Sequence, residues 1–273
     1  MNKVDELRQK VDQCDRQLAA VLEKRLEIIL EIMQEKKEQG LPIFNKDREE
    51  KVVHKIGHYV TNPDLKEEVR FIQQHVLQSC RRIQSKRLFP YHITLVGFMG
   101  CGKTSVAIEL GKMLAMEQID VDDVIVSRMK MPISEIFALY GEQVFRQLES
   151  NIVEELSKSE NVIIFANGGG VVLNERNVEN IKRTGVIIWL KATPEEIYDR
   201  IKDDTSRPVL KDNMSVEKIG KLLTGRLPLY EKAADLTVST DGKTVEEIAL
   251  EVVDQLMRMD LGRQAKHPQA SNL

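Results

Sequence analysis

Eight residues, Gly97-Phe98-Met99-Gly100-Cys101-Gly102-Lys103-Thr104, carry the spacing G-x-x-x-x-G-K-T. Glycines so placed let backbone N–H groups curl around a phosphate, while the lysine reaches the β- and γ-phosphates and the threonine hydroxyl serves Mg²⁺. The flanks fit that chemistry. The apolar run Ile93-Thr94-Leu95-Val96 would deliver the loop from a strand, and Val106 to Leu114 has helical periodicity. A helix starting there turns the positive end of its dipole on the same anion. The segment is read as a nucleotide-binding loop.

Four further features narrow the acceptor. Asp120 and Asp122 in Ile119-Asp120-Val121-Asp122 share one side if the segment is extended, where they can hold Mg²⁺ or accept hydrogen bonds from a polyol. Arg146 and Glu149 lie three residues apart on a predicted helix. Asn167-Gly168-Gly169-Gly170 follows the β-rich run Val162–Phe165, so a ligand can approach the backbone closely there. Arg207 and Arg226, each followed closely by proline, stand in a polar stretch able to close as a lid. Taken singly these are unremarkable, since an Asp-x-Asp is usually a solvated turn and an exposed Arg–Glu pair contributes under ~1 kcal/mol.

A second group stands far upstream. Val4, Leu7, Val11, Cys14, Leu18, Val21, Ile28 and Ile32 form an apolar stripe at steps of three and four, and Arg25 falls within it. A guanidinium there needs an anion, because burying it unpaired costs several kcal/mol. Lys36 lies on nearly the same helix face, with its Cα ~16 Å from that of Arg25, a gap two cationic side chains can close on one small dianion. Arg8 is ~25 Å from Arg25 along the axis and would reach that ligand only from the second chain of an antiparallel dimer. Asn45, Arg48 and Glu49 share a face at the start of a second helix, and Cys80 and Gln84 share one on a third.

The elements that must position these groups follow two different patterns. Up to about residue 88 the chain has two glycines, Gly40 and Gly57, and two prolines, Pro42 and Pro63, at expected breaks between three helices (about Val4–Lys37, Asn45–Tyr59 and Pro63–Arg87). Three helices of this size bury little alone, so the long first helix is expected to find a partner chain. Beyond a short connection at residues 89–92, β-rich runs at Ile93–Val96, Val162–Phe165, Val186–Leu190 and Leu236–Val238 alternate with helical stretches. That alternation predicts a parallel sheet with helices on both faces over residues 93–259, and residues 260–273 read as a disordered tail. A net charge of −3 over 273 residues gives no support for nucleic acid as partner, and no apolar run approaches the ~20 residues of a membrane span. The charged start lacks a secretory signal, and three scattered cysteines argue against a disulfide framework or zinc site. A cytoplasmic protein is expected.

In this order, the features of residues 93–258 closely resemble the shikimate kinases. The resemblance implies an α/β P-loop domain binding ATP through Gly97, Gly100, Gly102, Lys103, Thr104 and Ser105, with Mg²⁺ at Thr104 and Asp120. It implies that Asp122, Arg146, Gly169 and Arg226 bind shikimate, with Asp122 also the candidate base. Arg207 matches the lid arginine that reaches the phosphates, and Arg200 an arginine beside the adenine. Asn167 departs from the Thr or Leu often found there. Residues 3–86 resemble the all-helical chorismate mutases, which work as intertwined homodimers without a cofactor. That resemblance implies that Arg8 (from the other subunit), Arg25, Asn45, Arg48 and Cys80 bind chorismate. It also implies that Glu49 meets the substrate hydroxyl and that Lys36 and Gln84 donate to the ether oxygen. Cys80 departs from the usual Ser, and a thiol is the weaker hydrogen-bond partner. The expected protein is a bifunctional enzyme of aromatic amino-acid biosynthesis. A kinase whose helical half only senses chorismate or prephenate, or only dimerises, is the alternative.

Overall fold

The computed structural model describes residues 2–41, 44–161, 163–202 and 215–266. They divide into two compact units, Met1–Leu88 and Phe89–Leu273. In the first, α1 (Lys3–Glu38) begins where the Asn2 side chain accepts from the Asp5 backbone N–H at 2.9 Å. Asp5 and Glu6 lie in its first turn and Lys36 and Lys37 in its last, each favourable to the helix dipole. It ends in a Schellman motif. Gly40 adopts φ +64° while its N–H donates to Lys37 O, and the Leu41 N–H reaches Lys36 O. Asn45 caps α2 (Lys46–Tyr59), and Pro63 opens a 3₁₀ turn leading into α3 (Lys66–Leu88).

This unit has a small interior of Met33, Leu77 and Cys80 together with Gln84. The apolar stripe of α1 is left outside: Val4, Leu7, Val11, Leu18 and Val21 are all more than half exposed.

In the second unit, β1 (His92–Val96), β2 (Glu117–Asp120), β3 (Ile163–Ala166), β4 (Gly185–Lys191) and β5 (Leu236–Ser239) form one parallel sheet in the order β2-β3-β1-β4-β5. From β1 at the centre, the chain goes to one side for β2 and β3, then to the other for β4 and β5. The carboxyl end of β1 is therefore the switch point where α/β sheets place their ligands. Around the sheet lie α4 (Lys103–Leu114), α5 (Val121–Met129), α6 (Ile133–Leu156), α7 (Glu175–Thr184), α8 (Pro194–Ile201), α9 (Val216–Thr224), α10 (Leu227–Ala233) and α11 (Val245–Lys266). β1 and β4 form the core, with Ile93, Leu95, Ile187, Ile188 and Leu190 fully buried.

The structure departs from the sequence reading in four places. β2 is a strand that apolar patterning does not reveal, because it is a sheet edge whose Glu117 and Gln118 are exposed. Residues 89–92 belong to the second unit and are no free connection: Phe89 is fully buried and His92 opens β1. Part of the expected tail is helical, since α11 runs to Lys266. Asp120 and Asp122 are not both on a strand: Asp120 ends β2 and caps α5, whose first turn holds Asp122. Pro42, Val162, Arg207 and residues 267–273 lie outside the described residues. No described helix is long and apolar enough to cross a membrane, and no cysteine is in a disulfide.

Candidate active sites

At the carboxyl end of β1, the loop of residues 97–102 is shaped by its glycines. Gly97 (φ +148°) passes so close to β4 that a Cβ would stand 2.4 Å from Leu190 O, and Gly100 and Gly102 also hold positive φ. Gly102 precedes α4 with no side-chain cap, leaving the first backbone N–H groups of that helix to an anion. Lys103 folds over the loop and donates to Phe98 O at 3.0 Å. Thr104 Oγ1 donates to Asp120 Oδ2 at 2.6 Å, so two oxygen groups suited to a hard cation stand side by side. Gly100, Gly102, Lys103, Thr104, Ser105 and Arg200 line a cavity of about 290 Å³. Arg200 is fixed at its edge by Thr240 O (2.8 Å) and Glu196 (2.9 Å).

Beside this loop, at the end of β3, Gly168, Gly169 and Gly170 gather the acceptor-side residues. A Cβ on Gly168 would lie 2.7 Å from Glu149 Oε1 and 3.2 Å from Asp122 Oδ1, and one on Gly170 would lie 2.3 Å from Arg146 Nη1. Gly169 O accepts from Arg226 at 3.2 Å and from the Tyr230 hydroxyl at 2.5 Å. Tyr230 is in turn stacked on Trp189. Arg146 on α6 is held between Glu149 (3.0 Å) and Glu142 (3.1 Å). Burial pulls its pKa down, but the two carboxylates outweigh that and leave it above the usual value. Glu149, almost wholly buried, is pushed up to about 7 by burial and further by Asp122, against the pull of Arg146. Asn167 is buried, and its Nδ2 has no hydrogen-bond partner among the described residues.

Loop and corner together place Lys103, Thr104, Asp120, Asp122, Arg146, Gly169, Arg200 and Arg226 around the carboxyl ends of β1, β2 and β3. Tyr230 is an addition, its sequence signal being the i, i+4 spacing to Arg226, while Glu149, noted in the sequence only as the i, i+3 neighbour of Arg146, is buried against it.

In the helical unit, Arg25 Nη1 donates to Cys80 Sγ at 2.6 Å, and one turn further along α3 Gln84 Nε2 donates to Ile29 O at 3.5 Å. Glu49 on α2 is in contact with Arg81 of α3. Burial raises the Glu49 pKa, while Arg81 and, more weakly, Arg25 oppose it. Burial also pulls Lys36 below the usual lysine value. A groove of about 1020 Å³ opens between α2 and α3, lined by Glu49, Arg81, Val53, Phe71, Gln74 and Leu77 among others. Arg25, Glu49, Cys80 and Gln84 thus gather where the helices meet. Three candidates stand apart. Arg8 is exposed and pairs with Asp5 (3.5 Å), Arg48 is exposed, and the Asn45 side chain serves as the cap of α2. Arg81 had no signal in the sequence, where it reads as one more cation on a solvated helix face.

Comparison with known proteins separates the same two regions. Residues 99–257 match the family described as Shikimate kinase, and residues 7–85 the family described as Chorismate mutase type II. The shikimate kinase of Thermodesulfovibrio yellowstonii is 41% identical over 172 residues, which span 63% of this chain and 98% of that protein. That of Caldicellulosiruptor bescii is 41% identical over 162 residues, spanning 59% and 93%. Among solved structures, a shikimate kinase from Acinetobacter baumannii in complex with shikimate aligns with a TM-score of 0.62 at 31% identity, covering 65% of this chain and 99% of that one. The chain belongs to the shikimate kinase family and carries, ahead of its kinase domain, a chorismate mutase type II domain.

Proposed function

We propose that the second unit transfers the γ-phosphoryl group of ATP to a ring hydroxyl of shikimate, and that the first rearranges chorismate to prephenate. The observation that carries the kinase assignment is the corner at Gly168–Gly170, where Asp122, Arg146 and Arg226 meet beside the phosphate loop. Two arginines fit an acceptor carboxylate, and an aspartate fits its hydroxyls. In-line transfer needs alignment and neutralisation of charge on the γ-phosphate. Lys103 supplies positive charge at the phosphates, and Arg207 is the proposed lid contribution. Asp122 orients the attacking hydroxyl and takes its proton. Thr104 and Asp120 would hold Mg²⁺, which would supply positive charge to the phosphates.

For the mutase, the carrying observation is Arg25 drawn in among Cys80, Gln84 and Glu49. The rearrangement is concerted and needs no nucleophile. Negative charge grows on the ether oxygen as the C–O bond breaks, and Lys36 and Gln84 stabilise it as fixed donors in a dry site. Arg25 and Arg48 hold the carboxylates of the folded conformer, and Arg8 completes the set from a second copy of the chain. The exposed stripe on α1 is the proposed seam of that homodimer.

The direct test is to supply purified full-length protein with chorismate, then with shikimate and ATP·Mg²⁺. Loss of chorismate absorbance with prephenate formed, together with shikimate phosphate in the second assay, is expected. Phosphorylation without chorismate loss would reduce residues 1–88 to a sensor or dimeriser.

A further inference from the structure

Arg81 is a cation that the mutase assignment leaves without a role. It follows Cys80 on α3, and its guanidinium contacts the Glu49 carboxylate on α2, both side chains being about three-quarters buried. Its Nε is buried without a hydrogen-bond partner among the described residues, and the guanidinium lies 5.7 Å from the centre of the Phe44 ring. A solvated ion pair has neither feature. Removing one member of so buried a pair leaves the other uncompensated, so Glu49 and Arg81 act as a unit. Both line the groove between α2 and α3, Arg25 acts electrostatically on the same Glu49 carboxyl, and Arg25 donates to Cys80, the residue before Arg81.

We propose that Arg81 is a positioning residue of the mutase site, holding the Glu49 carboxylate ionised and aimed so that it accepts a hydrogen bond from the substrate hydroxyl. This rests on the mutase assignment. The charged or titratable groups around Glu49 are Arg25 on α1, Glu50 and His54 on α2, and Glu67, Glu68, Arg70 and Arg81 on α3. Glu67 and Arg70 pair with each other at 2.6 Å. Arg81 is the cation in contact with Glu49, and its pull on the carboxyl opposes the upward push of burial more strongly than that of Arg25. Without it Glu49 would titrate higher, and a protonated Glu49 would donate where it should accept.

The experiment is the pH profile of kcat/KM for chorismate in full-length Arg81→Met, Arg81→Lys, Glu49→Gln and the double variant Glu49→Gln/Arg81→Met. Shikimate phosphorylation by the same samples reports intact folding. In Arg81→Met the acid limb is expected to move up by about one pH unit or more, a loss of about tenfold on that limb with recovery above it. Arg81→Lys should restore most of the wild-type profile, and the methionine should cost little further in the Glu49→Gln background. Equal loss at every pH, or additive losses in the double variant, would overturn the role of Arg81 while the mutase assignment stood. A wild-type protein unable to consume chorismate would overturn both.

Discussion

The two units build their sites by opposite routes. In the kinase unit, one chain's β1, β3, α5, α6 and α10 bring the acceptor-side residues to a single corner, and the arginines there are already held by Glu149, Glu142 and Gly169 O. In the helical unit, Arg25, Glu49, Cys80 and Gln84 assemble but Arg8 and Arg48 remain exposed, as does the apolar stripe running along α1. A sheet core is large enough to fix a site by itself, whereas three helices bury only a small interior, and the proposed homodimer is what would cover the rest.

The sharpest way to break this comparison is a crossed pair of substitutions. Lys103→Ala is expected to lower phosphorylation by about 10³-fold or more and leave chorismate turnover intact, whereas Lys36→Ala or Gln84→Ala should cost the mutase about 10²-fold or more and spare the kinase. Rates of both reactions on each variant decide it, and loss of both activities from one substitution would show that the two sites are not independent. Leu18→Glu puts a charge into the exposed stripe. Chorismate turnover should fall about tenfold or more and depend on protein concentration, because burying an unpaired charge costs several kcal/mol. Phosphorylation should not change. A dilution series alongside sedimentation measures this, and a concentration-independent mutase of normal rate would refute the seam on α1.

The smallest expected effect on turnover belongs to Glu149, whose carboxyl is pushed up to about 7 in the fold and is read through stability instead. A carboxyl with a raised folded pKa contributes stability that is full below its ordinary value of 4.5 and is lost as pH rises through about 7. Glu149→Gln should therefore flatten the pH dependence of Tm across that window, by the equivalent of roughly 3 kcal/mol. Parallel Tm–pH curves for the two proteins would show that burial does not disfavour the ionised form.

What the sequence disclosed was whatever short-range chemistry dictates. The phosphate loop was legible because its conformations demand glycine at Gly100 and Gly102, and the helix breaks because Gly40 and Pro63 sit at a stop and a start. β2 escaped because an exposed edge strand has no apolar face to alternate. Asp120 and Asp122 share a side only if their segment is extended, and nothing local announces that Asp120 caps a helix at that point. Arg81 was invisible for a different reason: its partner Glu49 is 32 residues away, and only the packing of α2 on α3 makes the pair.

The glycine corner bears on inhibition. A side chain at Gly168 would strike Glu149, and one at Gly170 would strike an Arg146 already pinned by two carboxylates. A compound resting against this backbone would meet a wall that a new side chain reshapes only by displacing Glu149 and Asp122 at Gly168, or at Gly170 the arginine assigned to the natural acceptor. Resistance arising at these glycines would disturb the acceptor-side residues themselves, which makes the corner a favourable surface for inhibitor contacts.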